Sequence, residues 1–339
     1  MDKAILEAYI KMEQRKRVIF SVGKMSKEWR EFKNSPGYAV FMGLSFYKVK
    51  QRELFEPEKI DEEKLFYLVK KAEKSELKHT LQKDTLSPAV INFLSKQIGV
   101  EAPEFSVVHG SLDVVGGITR ATVSPEDGCK KIVVRNNKSL SSSKNLYGQN
   151  VWQFFMYYYH ELTHAKQCAE MQDYFFGNDA AMAKYKLMFF NDIFTECIYH
   201  LPKSFAEKIY SKVLQELSDK SYFLNPQEVD ARMEAAKFVL SLKPIISEDE
   251  KLLNSYEKYA HSGLLKEAEI TNKTGTKMLQ ELDKKKEVFE KNFGSSDIGK
   301  IILEKYAKTR SSSATKDYEK QINDFGKTLA ESKKGTFGL

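Results

Sequence analysis

The sequence predicts an α+β fold in which a small β-sheet lies beside one strongly apolar helix, with helical segments flanking both ends. Three observations carry this prediction. Residues 149–171 contain Val151, Trp152, Phe155, Met156 and Tyr159 in a run long enough for a buried helix. Ahead of it, the β-branched runs 105–108, 117–123 and 131–135 are bounded by turn-forming residues. At both ends of the chain Lys and Glu alternate with apolar positions, as on surface helices.

Taken in order, residues 2–34 and 57–83 read as helices, with Ile5, Tyr9 and Met12 on one and Leu65, Leu68 and Val69 on the other. Between them Asn34-Ser35-Pro36-Gly37 reads as a turn, and the apolar patch 38–42 fits either element type. Ser87-Pro88 caps and opens a short helix through Gln97, which Gly99 closes. The turn 124–128 makes 117–123 and 131–135 a hairpin candidate. After the apolar helix, 178–217 supplies one or two more helices, and Asn225-Pro226 starts another that runs to about Leu242 before Pro244. Beyond 250 the chain is rich in Lys, Glu and Ser and is expected to form loosely packed or partly disordered helices. These shifts divide the chain into an N-terminal helical region 1–85, a central domain 86–245 and a charged tail 246–339.

Composition narrows the class. At 42% hydrophobic and 12% aromatic, the chain has enough apolar matter for a real core, so global disorder is excluded. No stretch approaches the roughly 20 apolar residues of a membrane span, and the first residues lack a signal-peptide layout; the expectation is a soluble, cytoplasmic protein with no membrane partner. Cys129, Cys168 and Cys197 are an odd number with wide spacing, which fits neither a disulfide framework nor a structural zinc ribbon. The net charge of +7 is concentrated beyond residue 250, where 18 Lys/Arg face 13 Asp/Glu. Such dispersed cations form a solvated surface, and they weigh against a nucleic-acid partner.

The chemistry-bearing element is His160-Glu161-Leu162-Thr163-His164, the H-E-x-x-H pattern, within the apolar helix. Residues four apart share a helix face, so both imidazoles can reach one zinc ion. Glu161 lies about 100° around the helix from His160, beside the ion, where it can take a proton from zinc-bound water. A catalytic zinc needs a third protein ligand, for which Glu170, Asp173, Glu196, His200 and Glu228 are the downstream candidates. The third-His pattern fails, because Gln167 and Glu170 stand where Gly and His would be required. Glu170 points largely away from the histidine face. Glu228 is favoured because 225–232 opens a helix that can aim a carboxylate at the ion.

These residues resemble the gluzincin metallopeptidases, in particular compact minigluzincin-like ones with H-E-L-x-H-x-x-Q followed by N-P-x-E-x-D-A. His160, Glu161, Leu162, His164 and Gln167 match the first pattern, and Asn225, Pro226, Glu228, Asp230 and Ala231 the second. The resemblance spans about residues 88–242 and implies a zincin-like core. It implies that His160, His164 and Glu228 bind zinc, that Glu161 is the general base and then acid, and that Asp230 orients a ligand histidine. It further implies an edge strand, 117–123 or 131–135, that pairs with an extended peptide or protein substrate. A catalytically silent binding or regulatory protein using its helical flanks is the alternative expectation.

Other features read as structural. Tyr157, Tyr158, Tyr159, Tyr222 and His200 are available to stabilise an oxyanion but read more simply as packing residues, and none is given that role. Cys168 and Cys197 read as small buried side chains. Lys24-Met25-Ser26-Lys27 looks like a synthetase signature loop but lacks a preceding nucleotide-binding fold and its His-x-Gly-His partner. Residues 294–301 nearly spell a phosphate loop, yet Ile301 replaces the hydroxyl residue that would hold magnesium.

Overall fold

The computed structural model describes residues 3–21, 27–33, 35–45, 53–74, 86–109, 120–123, 131–136, 151–176, 181–199, 224–264 and 274–335. The chain runs α1 (Lys3–Ser21), α2 (Lys27–Lys33), α3 (Pro36–Ser45), α4 (Glu62–Lys74), α5 (Leu86–Ile98), β1 (Glu104–His109), β2 (Arg120–Val123) and β3 (Lys131–Asn136). It continues through α6 (Val151–Phe176), α7 (Ala183–Tyr199), α8 (Pro226–Ser241), α9 (Glu250–Tyr259), α10 (Gly275–Phe293), α11 (Asp297–Arg310) and α12 (Ser313–Gly335). A 3-10 turn, Pro244–Ile246, separates α8 from α9, and α9 runs into one π-helical turn, Ala260–Leu264.

This architecture corrects the expected α+β class. The protein is mainly helical: most of the described residues lie in the twelve helices, against three strands of four to six residues each. A zincin-like core is therefore not supported. The strands that do form have the order β1-β3-β2, with β3 central, parallel to β1 and antiparallel to β2. Ala121 pairs with Val134 and Thr122 with Val133, so the expected hairpin strands do meet. Because β3 is paired on both sides, 131–135 cannot be the free edge assigned to substrate; among the described strands β2 is an edge.

The chain divides into two compact units, each assembled from three stretches. The first comprises Met1–Lys50, Glu170–Val229 and Thr271–Asp324. Its centre is α7, which packs against α3, α10 and α11. Phe189, Phe190, Phe194, Phe289 and Phe293 are all fully buried here. Phe194 meets the rings of Phe289 at 4.9 Å and Tyr306 at 5.2 Å. Tyr9 of α1 stacks on Phe41 of α3 at 5.6 Å with the rings nearly parallel. Tyr306 donates to Asp283 (2.6 Å), which also accepts from the Arg310 guanidinium, so α10 and α11 are pinned by a charge-assisted pair.

The Lys-rich segment beyond 250 was expected to pack loosely and does not. Met278, Leu279, Leu282, Phe289 and Phe293 recur at helical spacing on α10, and Ile298, Ile302 and Tyr306 on α11, and all are buried. The phosphate-loop look-alike is a helix start: Ser296 Oγ accepts from Gly299 N (3.1 Å). A Cβ at Gly299 would stand 1.9 Å from the Phe293 carbonyl oxygen, so glycine is required there by close approach.

The second unit comprises Gln51–Ala169, Asp230–Ile270 and Phe325–Leu339. Its core gathers Leu65, Leu68 and Val69 of α4, Val90 and Leu94 of α5, Trp152, Phe155 and Leu162 of α6, and Val239 of α8. Trp152 donates to Ser255 Oγ (3.1 Å) and meets Tyr256 edge-to-face, tying α6 to α9. Gly99 closes α5 as expected, with φ +80°, and Gly99 N and Val100 N both bond the Ser95 carbonyl. Ser87 departs from its expected capping role: it lies inside α5, buried, and its Oγ accepts from Tyr158 OH (2.9 Å). Phe105 of β1 packs edge-to-face on Tyr158, which places the sheet beside α6. Among the described residues, no helix is long and apolar enough to cross a membrane.

Replacing Phe194 by Ala is expected to lower the unfolding free energy by about 3–5 kcal/mol, the usual cost of deleting a fully buried aromatic. Urea unfolding of wild type and variant measures it; a loss under about 1 kcal/mol would show that Phe194 is not in a packed core.

Candidate metal centre

The centre is built from α6 upward. Val151, Trp152, Phe154, Phe155, Tyr158 and Leu162 bury one side of this helix, which leaves His160 and His164, four residues apart, together on a half-buried face. Their rings stand at 90° with centroids 4.6 Å apart, and the two Nε2 atoms face each other at 3.1 Å. Two nitrogens bound at about 2.0–2.1 Å to one tetrahedral ion lie about 3.3–3.4 Å apart, so the observed spacing nearly matches that of a metal clamp.

Glu228 comes from the first turn of α8. Asn225 Oδ1 accepts from Gln227 N (3.0 Å) and Pro226 occupies the first helical position, the start that Asn-Pro predicts. Ligand atoms of His160, His164 and the buried Glu228 all lie within 4.8 Å of one another. Among the described residues, Glu170, Asp173 and Glu196 do not join this group; His200 and Tyr222 lie outside them. Two imidazoles and one carboxylate are a donor set suited to zinc, and three protein ligands leave one position open. Glu161, next to His160, is 9% exposed: mostly buried yet within reach of water.

Asp230 is fully buried, and the hydrogen bonds place it behind His164 through an intermediary. Gln167 Nε2 donates to Asp230 Oδ2 (3.0 Å), and Gln167 Oε1 lies 2.8 Å from His164 Nδ1. Gln167 is itself only 1% exposed. The signal for it is present in the third residue after the second histidine, although its link to Asp230 cannot be read from spacing alone.

A second contact fixes the same helix pair. Tyr159 of α6 stacks on Phe238 of α8, with centroids 4.4 Å apart and rings 10° from parallel. From Tyr159 to Gln167 and from Asp230 to Phe238 are equal steps along two antiparallel helices, each about 12 Å of rise. Burial and the nearby Glu234 push the Tyr159 phenol up to about 12, so it stays protonated at neutral pH. Tyr158 is committed to Ser87, and Tyr157 accepts from Gln153. Cys168 and Cys197 are buried, and burial holds the Cys197 thiol well above its ordinary range, against a nucleophilic role.

The base of α8 also rests on a polar cluster that no sequence pattern announces. Gln227 donates to Asp192 and to the Met188 carbonyl, and Asn191 Nδ2 donates to Asn225 Oδ1 and Gln227 Oε1. Lys285 Nζ, buried, donates to Asn191 Oδ1 (2.8 Å) and Thr195 Oγ1 (3.3 Å). No protein-family model, curated protein or solved structure matches this chain.

Burial lowers the Lys285 pKa below its unfolded value of 10.5, with Asp192 and Glu281 opposing the shift. The unfolded chain then binds more protons than the folded one in the window just below pH 10.5, so stability must rise with pH there. Measured against Lys285→Met, wild-type unfolding free energy is expected to increase with pH in the window just below pH 10.5. A flat or falling difference would show that the ammonium is not desolvated.

Proposed function

We propose that this chain is a zinc-dependent peptidase in which His160, His164 and Glu228 hold the ion and Glu161 handles the proton. The observation that carries the reading is the convergence of these three ligand groups, drawn from two helices, within 4.8 Å. When bound at such a site, zinc acidifies a water molecule and polarises a carbonyl. The chain supplies the rest. Glu161 accepts a proton and returns one to the departing amine, a role suited to a carboxylate that is sheltered but not sealed off. The buried face of α6 holds both imidazoles against a rigid core, which keeps their approach geometry fixed. The edge strand β2, in a sheet that packs beside α6 through Phe105 and Tyr158, offers main-chain hydrogen bonds to an extended peptide.

Purified protein is expected to carry one zinc by elemental analysis and to cleave members of a denatured-proteome peptide library. Glu161→Gln is expected to keep the metal and lower turnover by about 10²–10⁴-fold, whereas His160→Ala and His164→Ala lose metal and activity together. A Glu161→Gln enzyme that cleaves at the parent rate would refute the assignment. Stoichiometric zinc with no turnover on any peptide or protein would favour the silent binding-protein reading.

A further inference from the structure

The chain His164–Gln167–Asp230, buried at Gln167 and Asp230, does more than hold a ring in place. We propose that Asp230, acting through Gln167, selects the neutral tautomer of His164 that leaves Nε2 free to bind metal. The inference rests on the zinc reading for its purpose, but its geometry stands on α6 and α8 alone.

A carboxylate has no hydrogen to offer, so Asp230 Oδ2 must face the amide NH₂ of Gln167; the 3.0 Å contact fixes which end of the amide points to it. The opposite end, Oε1, then faces His164 Nδ1 at 2.8 Å. An amide oxygen only accepts, so Nδ1 must carry the hydrogen. The remaining nitrogen, Nε2, is left with its lone pair, and it is this atom that lies 3.1 Å from Nε2 of His160. The amide thus transmits the polarity of a buried carboxylate across one side chain.

Burial makes the selection strong. Asp230 is 0% and Gln167 1% exposed, so neither can turn to water to satisfy a reversed orientation. Flipping the Gln167 amide would press its oxygen against the Asp230 carboxylate and its NH₂ against a protonated Nδ1. Gln167 is therefore a positioning residue: it acts on the metal site through His164.

Substitution can reverse this polarity and then restore it. Asp230→Asn supplies a donor where only an acceptor stood, so Gln167 can reverse, donate to Nδ1 and place the hydrogen on Nε2, where it blocks ligation. The exchange Gln167→Glu with Asp230→Asn restores the direction at unchanged net charge. The asparagine amide introduced on α8 would donate to the new carboxylate on α6, and that carboxylate would accept from Nδ1–H.

Two measurements test this. In metal-free wild-type protein at about pH 8, above the ordinary imidazole range, nitrogen-15 correlation spectra of His164 should show the hydrogen on Nδ1. A dominant Nε2–H form would overturn the proposal. By competition with a chromogenic chelator, Asp230→Asn should bind zinc about 10–100-fold more weakly than wild type, and the double exchange should return to within about threefold. A folded double exchange no better than Asp230→Asn alone would overturn it. Circular dichroism establishes folding; should either variant fail to fold, the wild-type spectrum decides. Wild-type protein that binds no zinc would defeat the metal reading, yet the tautomer spectrum would still decide the selection.

Discussion

The hydrogen bond between the Gln167 amide and the Asp230 carboxylate is the constraint on which the centre depends. It joins two helices far apart in sequence, and both partners are buried, so its loss would remove a contact that water cannot replace. Together with the Tyr159–Phe238 stack it sets α6 and α8 antiparallel in one register. Sliding either helix by one residue would break both contacts at once. Register in turn decides which first-turn residue of α8 approaches the histidines, and in this register it is Glu228.

The site was more legible in the sequence than the architecture was. H-E-x-x-H is a local pattern whose geometry follows from the pitch of one helix, and Asn-Pro announces the start of α8 through a cap and a fixed φ, so the pairing of His160 with His164 and the place of Glu228 in a first helical turn could be anticipated from neighbours in sequence. The role of Gln167 depends on a contact 63 residues away, which no periodicity reports. The fold class failed for a similar reason. The β-branched runs do form strands, but their short length and the number of helices packed elsewhere make them a minor element. Lysine-rich composition also misled: on α10 and α11 the charges other than buried Lys285 lie off the stripe that Met278, Leu282, Phe289 and Ile302 keep buried.

The polar cluster beneath α8 shows a different economy. Asn191, Asp192, Gln227 and Lys285 are interior or half-buried, and their hydrogen bonds satisfy one another. Such a cluster gives less stability than apolar packing of equal volume would, but it accepts only one arrangement of donors and acceptors. Gln227 immediately precedes Glu228, and its main-chain N–H is capped by Asn225 Oδ1.

The order of the strands has a consequence for synthesis. β1 is made first, yet its ladder partner is β3, and β2 intervenes in the chain. A nascent polypeptide that has emerged only as far as Val123 holds a β1 whose main-chain groups lack their native mate until Lys131–Asn136 has been added. The β2–β3 ribbon, separated by a short connection, has the smaller entropic barrier to closure and is the natural template onto which the older strand then docks.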